Sequence, residues 1–490
     1  MAEHVADPFA DLNQGRRPSK RICIIGAGAN GLATLKVFLD SAEVRSGEWM
    51  VTAMEERSDI GGVWLPDPAT GDLPASPLYD SLTTNIPHPV MAYTSFPFPP
   101  ETPLFPPASV VQTYLHDYAA HFDLARYIRL NTRVDRTEWD AVHQVWKVTL
   151  STGKAEDFDF LVVANGHFRT PRYPKAPGLK AWLDSGRALH SIRYRRPGDF
   201  AHHDKIVVVG GGPSAIDICT DLRTTGKLVL QSIPGENSAH FPYPPDTDTY
   251  RKIQRIAQYK DNGEIVLEDG SIESHVDLVI LATGYEYSVP FLSQVTLALP
   301  EVPPPFPSNL HNSTYHIFPL AKFLFPLQSD FPPHSIAFPG LLVRVAPLPM
   351  FEDQARAMLR VLADPSSLDV AAESVALVSR AQKLVEQEGT DDPLQIAKAW
   401  FFLGLFEPFD YRAELNSFAF PETPWKAPEW EVDMWAQKVV LRAAWRDVEK
   451  TGEAQEWLKD VGTGGIQDWV ELCRKLVKRY EDMEGEKSRL

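Results

Sequence analysis

The chain has 490 residues, a formal net charge of -17, and 44% hydrophobic and 23% charged residues. That length exceeds one ordinary core and suggests about two to four domains, with the composition of a soluble globular protein. So acidic a surface repels a phosphate backbone, which excludes nucleic acid as a partner.

Residues 1–19 mix acids and bases without an apolar stretch and read as a polar tail, not a signal peptide. No apolar run approaches the roughly 20 residues needed to span a bilayer; AWFFLGLF at 399–406 is too short. A cytoplasmic location is expected. The first element, RICIIGAGANGLATLKVFLD, is a short apolar strand, a glycine turn, and then Leu32, Leu35 and Leu39 at helical spacing. In such a dinucleotide-binding unit Gly26 permits the turn, Gly28 lets a pyrophosphate approach the backbone, and Gly31 lets helix pack on strand. The next strand, WMVTAM, runs to Glu55, at the distance where a carboxylate accepts hydrogen bonds from an adenosine ribose; otherwise Glu55 is a solvated acid at a strand end.

Residues 79–100, YDSLTTNIPHPVMAYTSFPFPP, follow with neither helical nor strand period. Long irregular segments inside compact domains are functional or disordered, and this one is too aromatic for disorder. Tyr93, Phe96, Phe98 and Phe105 are expected to bury it. A later strand, FLVVANGH, ends in glycine.

The pattern then recurs. KIVVVGGGPSAIDICTDL places Gly210, Gly212 and Ala215 at the three fingerprint positions, with Ser214 between them, and LVILATGY closes the unit at Thr283 and Gly284. Ala215 suits either nicotinamide cofactor. After the strand LVLQS no acid is placed for a ribose 2'-hydroxyl, which favours NADPH over NADH, although no arginine is placed for a 2'-phosphate; Ser232 is the nearest polar group.

Two dinucleotide sites imply electron transfer from NADPH to FAD, with FAD in the first domain because its acid suits that cofactor. The cysteines are Cys23, Cys219 and Cys473, without a C-x-x-C pair or a metal-binding cluster, so oxygen is the acceptor to consider first and no metal is expected. The fold expected is α/β: a Rossmann-like FAD domain in two segments, 20–194 and 311–490, with a Rossmann-like NADPH domain, 195–310, inserted between them. The proline cluster at 302–308 marks the return crossing.

The order GAGANGL, MEERSDIGGVW (Glu55, Gly61, Gly62, Trp64), SPLYDSLTTNIPHPVMAY, GRALHSIRY (Gly186, His190, Tyr194), VVVGGGPSAIDI, LATGYEYSVPF resembles the class B flavin-containing monooxygenases, most closely their fungal members. The match covers about residues 21–360. Asp184 stands where the family linker has phenylalanine, and Trp182 lies two residues away. Tyr194, where Baeyer–Villiger relatives tend to carry tryptophan, favours the flavin-containing monooxygenases proper. The resemblance adds Gly61, Gly62 and Trp64 to the FAD site. It also places Asn85 beside the flavin carbon that takes up oxygen, its amide able to donate a hydrogen bond without titrating. On residue pattern alone Asn85 is a turn residue and His190 a structural histidine.

The cycle so implied is reduction of FAD by NADPH, formation of a C4a-hydroperoxyflavin with O2, and attack on it by a soft nucleophile, a thiol, thioether or amine. Alternatives are Baeyer–Villiger oxygenation of a ketone and a non-catalytic redox sensor. Further on, APLPMFEDQARAMLRVL reads as a proline turn and a helix whose N-terminus either faces the flavin or is plain core. Trp425, Trp430, Trp435, Trp445, Trp457 and Trp469 read as packing residues, with a homodimer interface as the alternative.

Overall fold

The computed structural model describes residues 18–233, 235, 243–293, 296–297, 307, 309–327 and 330–487. The tail expected at 1–19, apart from Pro18 and Ser19, and the proline cluster at 302–308, apart from Pro307, lie outside them. Packing divides the chain into two compact units. The first comprises Met1–Gly62, Ile86–Gly166 and Tyr287–Leu490; the second comprises Val63–Asn85 and His167–Glu286.

The first unit is built on a five-stranded parallel sheet in the order Ile336–Ala337, Phe160–Val163, Lys20–Ile25, Trp49–Met54, Ile128–Arg129. Ile22 pairs with Val51 on one side and Phe160 on the other. Ile22, Cys23 and Ile24 are fully buried, as a strand covered on both faces requires, so apolar residues run on without alternation. Helix Ala29–Leu39 follows the first strand and packs against helix Pro347–Ala363, which in turn packs on Glu407–Ala419. Pro347 opens its helix at the first position, where a missing N–H costs nothing. An antiparallel meander, Val134–Asp140, Val145–Leu150 and Ala155–Phe158, is tied down by Trp146, whose Nε1 donates to Ser335 O at 2.9 Å.

The second unit repeats the plan with parallel strands in the order Tyr250–Ile253, Leu228–Ser232, Lys205–Val209, Leu278–Leu281, Ala188–His190. Ile206, Val208 and Ile280 point into a core with helix Pro213–Arg223, Tyr79 and Tyr194; Val207, Val279 and Leu281 point into another with Trp182 and Tyr259.

These boundaries depart from the expected 20–194, 195–310 and 311–490. Residues 63–85 join the second unit because two arginines collect their carbonyls: Arg193 Nη2 reaches Gly71 O (3.0 Å) and Asp72 O (2.6 Å), and Arg195 reaches Asp67 O (2.9 Å) and Ser76 O (3.0 Å). Strand Ala188–His190 extends the second sheet and carries its neighbours with it. The return to the first unit comes at Tyr287, whose N–H donates to Thr314 O (3.0 Å) and whose hydroxyl donates to Leu341 O (2.7 Å).

The aromatic loop is thereby cut between Asn85 and Ile86. Tyr93, Phe98 and Phe105 are buried as expected, while Phe96 is half-buried. Phe98 stacks on Tyr114 at 3.8 Å and Tyr93 on Tyr118 at 4.1 Å. Of the six C-terminal tryptophans, Trp435, Trp445 and Trp469 are buried and pack within the first unit, and Trp425, Trp430 and Trp457 are half-buried. Among the described residues no helix is long and apolar enough to cross a membrane.

Candidate functional site

In the first unit the glycine turn is built as the fingerprint requires. Gly26 has φ +106°, and a Cβ there would stand 2.6 Å from Ala164 O. A Cβ on Gly31 would meet Gly26 O at 2.0 Å, which shows how closely helix lies on strand. Gly28 caps helix Ala29–Leu39 with no side chain bonded to the first-turn N–H groups, leaving them for an anion. It bridges Gly61, and a Cβ on Gly62 would lie 2.8 Å from Gly28 Cα; Arg57 holds Gly62 through a 3.1 Å bond to its carbonyl.

Glu55 follows strand Trp49–Met54 and is buried, not solvated. Its Oε2 accepts from Ala27 N (2.8 Å) and its Oε1 from Arg57 N (2.9 Å). Burial raises its pKa and those two bonds oppose the rise. Each oxygen keeps a further acceptor position for a ribose hydroxyl. Gln112, which sequence reasoning missed, puts a buried Oε1 without a donor where a Gly61 Cβ would sit, at 2.2 Å. Its only sequence signal was a polar residue among the apolar positions of ASVVQTYLHDYAAH. A glycine cradle, uncapped N–H groups, a buried carboxylate and an orphaned amide oxygen fit an adenine dinucleotide. Trp64 closes the short helix Gly62–Trp64 and falls in the second unit.

The loop 86–105 is clamped to this turn. Tyr93 bonds Ala29, and Glu352, fully buried on helix Pro347–Ala363, accepts from Thr94 N (2.8 Å), Ser95 Oγ (2.6 Å) and Thr94 Oγ1. Asn85 is exposed and is the last residue of the second unit's first segment.

In the second unit Gly210 has φ +139°, and a Cβ there would stand 2.4 Å from Ala282 O. Gly212 caps helix Pro213–Arg223, again without a side-chain cap, and a Cβ on it would meet no atom within 4 Å. The space at its backbone therefore serves no internal packing. Ser214 is half-buried in the first turn and Ala215 fully buried against the sheet. Ser232 is buried at the end of strand Leu228–Ser232, and its hydroxyl donates to Gln254 O at 3.0 Å. Thr283 Oγ1 donates to Arg172 O (2.5 Å), and Gly284, at φ +79°, offers its carbonyl to His190 Nε2 (3.0 Å). His190 also accepts from Ile192 N (3.2 Å), and burial lowers its pKa to about 4, so it is a neutral pin. The geometry gives it the structural part.

All three cysteines are buried and burial raises each thiol pKa, so none supplies a thiolate for disulfide exchange. Among the described residues no three His, Cys, Asp or Glu side chains form a metal site.

Residues 19–237 and 251–389 match the flavin-binding monooxygenase-like family. A flavin-containing monooxygenase of Arabidopsis thaliana, FMO GS-OX-like 2, is 31% identical over 71% of this chain and 75% of its own length. The thiol-specific monooxygenase of Saccharomyces cerevisiae is 34% identical over 56% of this chain and 62% of its own. Among solved structures, S-allyl-L-cysteine S-oxygenase from Allium sativum matches with TM-score 0.70 and 27% identity over 90% of this chain and 98% of that one.

Proposed function

Since the chain belongs to the flavin-binding monooxygenase-like family and is an FAD- and NADPH-dependent monooxygenase, we propose that it transfers one atom of O2 to the sulfur of a small thiol or thioether. The other oxygen atom leaves as water, with NADPH supplying the two electrons. The observation that carries this reading is a pair of glycine turns, each opening a helix without a side-chain cap, in a chain whose thiols are all sequestered. Sulfur as the acceptor is supported by the relatives named as a thiol-specific monooxygenase and an S-oxygenase.

FAD, when bound, relays electrons from NADPH to oxygen; the residues hold and shield it. Gly26, Gly28, Gly31, Gly61 and Gly62 would admit the pyrophosphate, and Glu55 and Gln112 would bind the ribose and its neighbours; Trp64 is assigned to the FAD site by the family resemblance. Gly210, Gly212, Ser214, Ala215, Thr283 and Gly284 form the NADPH site. Asn85 donates its amide hydrogen to the reacting oxygen or holds the substrate beside it, a role supported by its place in the family motif LYDSLTTNIPHPVMAY. The proposal includes a cytoplasmic location.

The test is incubation of purified holoenzyme with NADPH, O2 and, separately, a thiol, a thioether, a tertiary amine and a cyclic ketone. Sulfoxide or disulfide formed in step with NADPH consumption is expected. An N-oxide alone would move the reaction to nitrogen, and lactone alone would make it a Baeyer–Villiger enzyme.

A further inference from the structure

Strand Ile336–Ala337 runs parallel to Phe160–Val163, so the chain leaves it at the carboxyl edge of the first sheet, where open α/β sheets bind their ligands. It passes over the fingerprint helix: a Cβ on Gly340 would lie 2.4 Å from Asn30 Nδ2, and Gly340 N donates to Gln354 Oε1 at 2.9 Å. Four residues later Arg344 holds φ +60°, a left-handed conformation that side chains other than glycine rarely adopt. It is kept there from both sides. Val343 N donates to Phe401 O (3.0 Å), and the Arg344 guanidinium lies over the Phe402 ring, 4.8 Å from its centroid.

Arg344 is an exposed residue whose guanidinium, partly desolvated, makes no hydrogen bond or ion pair to any described residue, and Glu388, whose charge it feels, is beyond ion-pair distance. Arg380 nearby is different: it donates to Trp400 O (2.6 Å) and Phe402 O (3.2 Å). The Phe402 ring under Arg344 is 40% exposed, and Leu405 and Phe406, three and four residues further along the chain, are 51% and 49% exposed. A solvated surface arginine ordinarily moves among many rotamers. This one is restrained by its backbone and an aromatic face, with its planar fork open.

We propose that Arg344 determines substrate specificity by pairing with the carboxylate of an acidic thioether, whose apolar S-substituent lies against Phe402. This rests on the sulfur-oxygenase reading and names the substrate class within it. A carboxylate matches the guanidinium fork bidentately, and removal of such a pair discriminates by roughly ten- to a hundred-fold.

The experiment compares 3-(methylthio)propanoate with its methyl ester on holoenzyme carrying wild-type sequence, Arg344→Gln or Arg344→Lys. Both replacements carry a β-carbon, so backbone strain is matched. The ratio of kcat/KM for acid over ester should fall ten- to a hundred-fold in Arg344→Gln, mainly through KM, and recover in part in Arg344→Lys. Pentanoate, which has no sulfur to oxidise, should raise the unfolding temperature of wild-type holoenzyme more than that of Arg344→Gln. Equal losses for acid and ester, or a rise confined to the KM for NADPH, would overturn the assignment and leave sulfur oxygenation standing. Wild-type holoenzyme that oxidises neither thioether would overturn the sulfur reading and, with it, this substrate class.

Discussion

Tyr93 donates its hydroxyl to the carbonyl oxygen of Ala29, 2.5 Å away, so the first turn of the fingerprint helix is bonded directly to the irregular aromatic loop. Tyr93 is 2% exposed and stacked on Tyr118, which leaves the hydroxyl no competing water. The loop that the sequence marks as irregular is therefore fixed at the point where the chain turns from strand to helix.

Tyr93→Phe should lower unfolding stability by about 1 kcal/mol, the net worth of one such bond. Glu352→Gln should cost more, roughly 1 to 3 kcal/mol, since an amide has one acceptor oxygen in place of two: that oxygen can serve Thr94 N and Thr94 Oγ1 only if Ser95 Oγ turns from donor to acceptor. Urea unfolding followed by flavin release checks the order. Equal stability of Glu352→Gln and wild type would remove the clamp from the account.

The two glycine turns should respond oppositely to alanine. Gly26→Ala forces a Cβ to 2.6 Å from Ala164 O at φ +106°, so protein with little FAD and a lowered unfolding temperature is expected. Gly212→Ala meets nothing within 4 Å at φ -82°, so it should keep wild-type stability to within about 0.5 kcal/mol and stay yellow. Its rate of anaerobic flavin reduction at limiting NADPH should fall. Loss of flavin from Gly212→Ala with normal nicotinamide affinity would reverse the two sites.

Asn85→Ala should bind FAD and accept hydride normally while losing oxygenation. One positioned hydrogen bond in a water-poor site is worth about 1 to 3 kcal/mol, roughly five- to a hundred-fold. NADPH should then be consumed with release of hydrogen peroxide, and Asn85→Asp should be worse because it adds a charge. The ratio of product to NADPH consumed, with peroxide measured beside it, decides; an unchanged ratio in folded Asn85→Ala returns the residue to a turn.

Acid should weaken the protein through its buried histidines. His190 is held neutral with its pKa lowered to about 4 and His316 to about 3, in each case first by desolvation. Below about pH 6.5 the unfolded chain binds protons that the native state refuses, so stability is full above 6.5 and falls as pH drops toward those values. Between pH 7.5 and 5 each histidine accounts for about 2 kcal/mol of the loss. Equilibrium unfolding at the two pH values checks this, and His190→Gln should flatten the slope by one histidine's share.

Local sequence determined the parts that depend on near neighbours. RICIIGAGANG and KIVVVGGGPSA encode strand, turn and helix because a buried parallel strand needs a continuous apolar run and the turn needs glycine where a Cβ would strike the neighbouring strand's carbonyl. Glu55 was legible for the same reason, by its fixed spacing from those glycines. Tertiary structure decided what depends on partners far along the chain. Residues 63–85 leave the first unit because Arg193 and Arg195, more than a hundred residues away, take their carbonyls; the Ser232 hydroxyl finds Gln254 O; Gln112 reaches Gly61 only once its helix is packed; and Arg344 stands open because Phe402 holds it. Hydrogen bonds and close packing between distant segments have no periodic signature, so only the folded chain shows which polar groups are satisfied internally and which are kept for a ligand.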